Sequence, residues 1–136
     1  MPLLEGKKAI IFGIANHRSI GWAIAQSLAA EGAQLAFAYQ ERMEKYVREL
    51  AAKIPGTEVM ECDVQSDEQL DSAFTRAGEI FNGELDIVIH SVAFAPPREL
   101  ENPFVETTRE GFHTALDISA YSLIAMARRA KPLLAA

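Results

Sequence analysis

The chain has 136 residues, 49% hydrophobic and 24% charged, which suits one packed domain and excludes a disordered or fibrous chain. A formal charge of −6 excludes the clustered Lys and Arg that hold nucleic acid or an anionic membrane, so neither partner is expected. Cys62 is the only cysteine, which rules out an intrachain disulfide and fits a reducing cytoplasm; no metal is expected, because no Cys/His cluster has zinc spacing, and no stretch resembles a signal peptide or the ~20 apolar residues of a membrane span.

Lys7 to Phe12 is a short apolar run ending at Gly13, as in a strand buried on both faces. Ile20 to Glu31 repeats its apolar residues at helical spacing and stops at Gly32. Gln34 to Tyr39 reads as a second strand, and Met43, Tyr46, Val47, Leu50 and Ile54 mark the stripe of a second helix that Pro55-Gly56 breaks. Thr57 to Cys62 is the third strand. Ser66 can cap the following helix while Gln69 reaches back to it, and Leu70, Phe74, Ala77 and Phe81 continue that helix. Asn82-Gly83 turns the chain into a fourth strand, Leu85 to His90. A loop carrying Pro96, Pro97 and Pro103 leads to a helix from about Thr108 to Ala130, broken near Pro132. This alternation predicts an α/β fold, a doubly wound parallel sheet of Rossmann-like type that stops after about four strand and helix units, in one domain over residues 1–136.

The segment from Gly13 to Gly21 joins the first strand to the first helix, where a pyrophosphate would meet unpaired N–H groups and the positive helix end. Gly13 lets the backbone turn close to a ligand, Ser19 can donate a hydroxyl, and Ile20 and Gly21 can offer N–H groups. The spacing is not G-x-G-x-x-G, and the same residues also read as a strand end followed by a helix cap. In open α/β sheets the ligand lies beyond the carboxyl ends of the strands. There, Gln40-Glu41-Arg42 can reach the adenosine ribose, with Glu41 repelling a 2′-phosphate and Arg42 attracting one. Asp63 can accept from the adenine amino group, Val64 can cover the ring, and the small residues His90-Ser91-Val92-Ala93 admit the second ribose and nicotinamide.

Through these residues the whole chain resembles the bacterial and plastid NADH-dependent enoyl-acyl-carrier-protein reductases, a divergent branch of the short-chain dehydrogenases. The likeness rests on Gly13 with Ser19-Ile20, on Ala36-Phe37-Ala38-Tyr39-Gln40, on Cys62-Asp63-Val64, on His90-Ser91-Val92-Ala93-Phe94-Ala95, and on Thr108-Arg109-Glu110-Gly111-Phe112 with Asp117-Ile118-Ser119. Ordinary short-chain dehydrogenases carry T-G-x-x-x-G-x-G in the first loop and N-A-G after the fourth strand, and neither is present. The resemblance implies that Gly13, Ser19, Ile20, Gln40, Asp63, Val64 and Val92 contact NADH, with NADPH less favoured, and that Ala95 lies beside the acyl substrate. It implies hydride transfer to the β-carbon of a trans-2-enoyl thioester carried on acyl carrier protein, and a homotetrameric full-length enzyme.

In that family a tyrosine meets the enolate and a lysine seven residues later holds the nicotinamide ribose, both after a fifth strand. The expectation here is an amino-terminal piece that binds cofactor without turnover and contributes no catalytic residue. A non-catalytic NAD-binding module is the alternative, and an alcohol-oxidising dehydrogenase is disfavoured by the missing N-A-G. Tyr46 and Lys53 match the tyrosine-lysine spacing, but Tyr46 belongs to the second-helix stripe and reads as core packing. His90 reads as a hydrogen-bonded sheet residue rather than a general base, His17 and His113 as solvent-facing or structural, and Cys62 as a small core residue. Arg128, Arg129 and Lys131 read as last-turn cations answering the helix dipole rather than a docking patch for an acidic carrier.

Overall fold

Residues 1–134 are described by a computed structural model. Four parallel strands, β1 (Lys8–Phe12), β2 (Gln34–Tyr39), β3 (Glu58–Glu61) and β4 (Ile87–His90), lie in the order β3-β2-β1-β4. Side chains alternate across the sheet, so Ala9 and Ile11 face one side while Ile10 and Phe12 face the other. Both sides are covered. Helices α1 (Ile20–Ala30) and α2 (Glu44–Ala51) pack on the first face through Trp22, Ala25, Val47 and Leu50. Helix α3 (Asp67–Ile80) and the carboxyl-terminal helical segment cover the second through Leu70, Phe74, Ala125 and Met126. The central strands therefore carry continuous apolar runs, each large side chain adding roughly 1.5–3 kcal/mol of burial.

The expected doubly wound sheet is thus present, with strand ends shifted by one or two residues. Asn82 and Gly83 both take positive φ at the turn before β4, as that dipeptide permits. Beyond β4, the proline-bearing loop contains α4 (Pro97–Glu101) and a 3-10 turn, Phe104–Glu106. Glu99 fixes it, since its carboxylate accepts from Thr108 N–H and Oγ, and these bonds hold its pKa below the usual range. Gly111 leaves that carboxylate its seat, because an added Cβ would overlap it.

The last helix is not uniform. It runs as α5 (Arg109–Leu116), a π turn over Asp117–Tyr121, and α6 (Ser122–Ala130). Among the described residues no helix is long and apolar enough to cross a membrane. Leu134 forms a single parallel bridge to Leu85, beside β4.

Tyr46 departs from its expected core position, being 53% exposed. Val47, Leu50 and Ala51 form the buried face of α2, and a residue one position before Val47 is turned about 100° from that face. Tyr46 and Lys53 instead line an outer groove with His17, Arg18 and Glu49. Arg129 is also more than a last-turn cation: it bonds Asp71 at 2.6 Å and Asp67 at 3.1 Å, tying α6 to α3. Arg128 and Lys131 remain exposed.

Candidate functional site

The carboxyl ends of all four strands meet at one cleft. Phe12 ends β1 and Gly13 to Ala15 follow it, Tyr39 ends β2 and Gln40, Arg42 and Met43 follow it, Cys62 and Val64 follow β3, and Ser91 to Phe94 follow β4, lining a cavity of about 150 Å³. A second cavity of about 390 Å³, bounded by Glu41, Glu61, Asp63, Gln65 and Gln69, adjoins it. Gln40, Arg42, Phe94 and Ile118 line both. The cleft lies where the order of strands reverses, with β2 and β3 on one side of β1 and β4 on the other.

Two glycines make the first loop possible. Gly13 has φ +103°, and an added Cβ would fall on the carbonyl of Ser91 at the end of β4. Its role is thus to let β1 and β4 close together as well as to turn the chain. Gly21 brings α1 down on the sheet, since a Cβ there would stand 3.2 Å from Ile14 Cγ1. These are the turning and packing roles of a dinucleotide loop at a different spacing.

The Ser19 hydroxyl shapes the loop rather than capping the helix. It makes no side-chain cap on α1. Its Oγ instead accepts from Ala15 N–H at 2.9 Å and Asn16 N–H at 3.0 Å, shaping the loop and keeping its own proton to donate. The first N–H groups of α1 are consequently left uncapped by any side chain. Ile20 is 74% exposed, so what it can offer the cleft is its backbone.

Gln40 is half-buried and accepts from Arg42 Nε at 3.3 Å. Asp63 lines the larger cavity and accepts through Oδ1 from Gln65 N–H at 2.9 Å. Val64 and Val92 line the smaller cavity. Ala95, by contrast, is half-buried and lines neither. Of the residues singled out from sequence, the fold therefore gathers Gly13, Gln40, Asp63, Val64 and Val92 on the cleft, whereas Ser19, just before α1, and Ile20, its first residue, line neither cavity.

Ile118, Phe94 and Gln69 also bound the cleft, and strand-end reasoning could not find Ile118 or Gln69, because both sit on helical segments. The π turn explains the placing of Ile118. Its Ser119 hydroxyl accepts from Phe94 N–H at 3.0 Å and donates to Phe94 C=O at 3.1 Å, pinning the segment after β4. Ser122, fully buried, donates to Ile118 C=O at 2.6 Å and lies 2.8 Å from His90 Nε2. With that hydroxyl proton committed, His90 donates through Nε2–H. His90 is thus a hydrogen-bonded residue at the end of its strand, as expected.

Cys62 is 3% exposed, and burial followed by the charge of Asp63 pushes its thiol up to about 12. We expect iodoacetamide at pH 8 to label the folded chain more than about a hundredfold more slowly than the urea-unfolded chain, whose thiol titrates near 8.5. Comparable labelling rates would contradict the burial. Among the described residues no group of three or more His, Cys, Asp or Glu could hold a metal ion.

Comparisons with known proteins bear on this cleft. Residues 13–136 match the family described as Enoyl-(Acyl carrier protein) reductase. The NADH enoyl-acyl-carrier-protein reductase FabI of Aquifex aeolicus is 48% identical over 135 residues, covering 98% of this chain and 50% of that protein. The crystal structure of the Bacillus cereus reductase with NADP+ and an indole naphthyridinone superposes with a TM-score of 0.93 at 45% identity, covering 98% of this chain and 53% of that one. The Anaplasma phagocytophilum reductase in complex with NAD superposes at 0.91 and 39% identity, covering 96% and 50%. The chain spans about half the length of the curated relatives it matches. Matched from the turning glycine Gly13 onward and sharing the fold of its solved relatives, this chain belongs to the enoyl-acyl-carrier-protein reductase family.

Proposed function

We propose that this chain forms the cofactor-binding half of an NADH-dependent enoyl-acyl-carrier-protein reductase, acting in the cytoplasm on trans-2-enoyl thioesters borne by acyl carrier protein. The observation that carries this reading is the meeting of four strand ends, with the glycine loop that leads from β1 into the uncapped start of α1, at two adjoining cavities. The residues fit a dinucleotide. The loop from Gly13 with Ser19 and the N–H groups of Ile20 and Gly21 suits a pyrophosphate. Gln40 suits a ribose, Asp63 and Val64 an adenine, and Val92 with its small neighbours the nicotinamide end, with Ala95 nearer the acyl chain.

When bound, NADH supplies the hydride. The protein's part is to hold the dinucleotide across the strand ends and to keep water from one side of it with Ile118 and Phe94. NADH is favoured over NADPH because Glu41 borders the ribose side of the larger cavity, although Arg42 stands beside it. The relatives' structures include complexes with NAD and with NADP+.

None of the chain's three tyrosines suits the acid role of the family. Tyr39 Oη lies 3.3 Å from both Glu44 Oε1 and Arg48 Nη2 on α2, and Tyr46 faces the outer groove. Tyr121 is half-exposed on the π turn. We therefore assign binding without turnover to this chain alone. Phe112, Leu116, Leu123 and Ile124 expose about half of each side chain along α5 and α6, a face suited to a subunit contact in a homotetramer.

The test is a titration of the purified chain with NADH, read by nicotinamide fluorescence, with a parallel assay on an enoyl thioester. Saturable binding with no NADH oxidation is expected. Absence of binding overturns the cofactor assignment, and measurable oxidation overturns the assignment of the chemistry elsewhere.

A further inference from the structure

We propose that Gln69 sets the purine preference of the adenosine end of the cleft, as a positioning residue acting through Asp63. The inference rests on the cofactor reading above and concerns how its base-recognising carboxylate is held.

Sequence spacing makes Gln69 the partner of Ser66 in a capping box, in which its side chain would return to Ser66 N–H. Only half of that box forms. Ser66 Oγ accepts from Gln69 N–H at 3.2 Å, but Ser66 N–H is already taken by Asp63 C=O at 3.0 Å. The Gln69 side chain therefore passes Ser66 and accepts from Asp63 N–H through Oε1 at 2.7 Å. Asp63 is consequently held three ways: its N–H by Gln69, its C=O by Ser66, and its Oδ1 by Gln65 N–H at 2.9 Å.

The other carboxylate oxygen, Oδ2, makes no hydrogen bond among the described residues, and Asp63 lines the 390 Å³ cavity together with Gln69. A fixed oxygen with acceptor character only rewards a base that presents an amino group there and penalises one that presents a carbonyl. Adenine and hypoxanthine differ at C6, amino against carbonyl, and at the neighbouring N1, which accepts in adenine and carries a proton in hypoxanthine, so an oxygen fixed opposite the C6 substituent tells them apart while one free to shift toward N1 does not. The discrimination requires the carboxylate to stay in place, because a carboxylate free to swing into water loses little on meeting the wrong base. Removing the Gln69 acceptor strands Asp63 N–H in a part-buried position and frees the peptide that carries the carboxylate.

The experiment titrates the whole 136-residue chain with NADH and with deamino-NADH, its hypoxanthine analogue, by nicotinamide fluorescence. The wild type is expected to prefer NADH by roughly tenfold, the worth of one hydrogen bond to a charged group. Gln69→Met keeps the volume and removes the acceptor, and should bring the two ligands within about twofold of each other, chiefly by weakening NADH. Gln69→Glu keeps an accepting oxygen and should restore the preference. Where Gln69→Met melts below the assay temperature, Gln69→Asn, too short to reach Asp63, carries the same comparison. A variant that weakens both ligands equally and keeps the wild-type ratio overturns the proposal, as does a wild type without preference. A wild type that binds neither ligand overturns the cofactor reading itself, and is recognised before any variant is made.

Discussion

Gly13→Ala is expected to abolish NADH binding and to remove a large part of the stability of the fold. The residue sits at φ +103°, where an L side chain is strained by roughly 1–3 kcal/mol. The added methyl would also overlap the carbonyl of Ser91, which is backbone and cannot rotate away. Relief requires β1 and β4 to separate at the ends where Ser91 N–H bonds Phe12 C=O at 3.0 Å. The sum is on the order of 4 kcal/mol or more, against a total stability of about 5–15 kcal/mol for an ordinary domain. Gly56→Ala is the control, since its φ of +83° is also positive but nothing stands within 4 Å of an added Cβ. Urea unfolding of both variants separates strain from overlap. Midpoints that fall together would show that the approach to Ser91 is not what requires glycine at position 13.

Phe12→Ala should be nearly as costly. Phe12 is 1% exposed at the end of β1, stacks on Phe74 with ring centroids 5.7 Å apart, and forms part of the cavity wall. Truncating such a ring costs about 3–5 kcal/mol in lost transfer and residual cavity, and the pair with Phe74 adds ~0.5–1.5 kcal/mol. For a domain of this size the thermal midpoint should fall by on the order of 10 °C or more. Calorimetry of the ligand-free chain measures it. A fall of only two or three degrees would mean that α3 settles into the space, and that the floor of the cleft is softer than the burial of Phe12 indicates.

The order of strands and helices was legible because their signals are local. A buried parallel strand needs a short apolar run, a helix needs spacing near 3.6, and a tight turn needs Asn82-Gly83 or Pro55-Gly56. The candidate contacts after each strand followed from the same order, since parallel strands bring their carboxyl ends to one edge. Gly13, Gln40, Asp63, Val64 and Val92 therefore reach the cleft as expected.

What sequence could not supply were the choices between partners that are equally near along the chain. Ser19 could cap α1 or hold the loop, and the path of Ala15 and Asn16 decided for the loop. Gln69 could return to Ser66 or pass to Asp63, and Ser66 N–H was already bound. Tyr46 shared a stripe with Val47, but the buried face of α2 is centred on Val47, Leu50 and Ala51, which turns Tyr46 outward. The π turn at Asp117–Tyr121 carries no spacing signal, yet it sets Ile118 on the cleft and Ser119 on Phe94.

The sequence by itself thus determined the fold class, the family and the edge of the sheet where a dinucleotide belongs, because apolar period, turn chemistry and strand-end residues act over a few positions. The tertiary structure alone decided which N–H each hydroxyl and amide satisfies, and with that which residues shape the cleft. Buried polar groups must find partners, and the nearest free one is known only when the chain has folded.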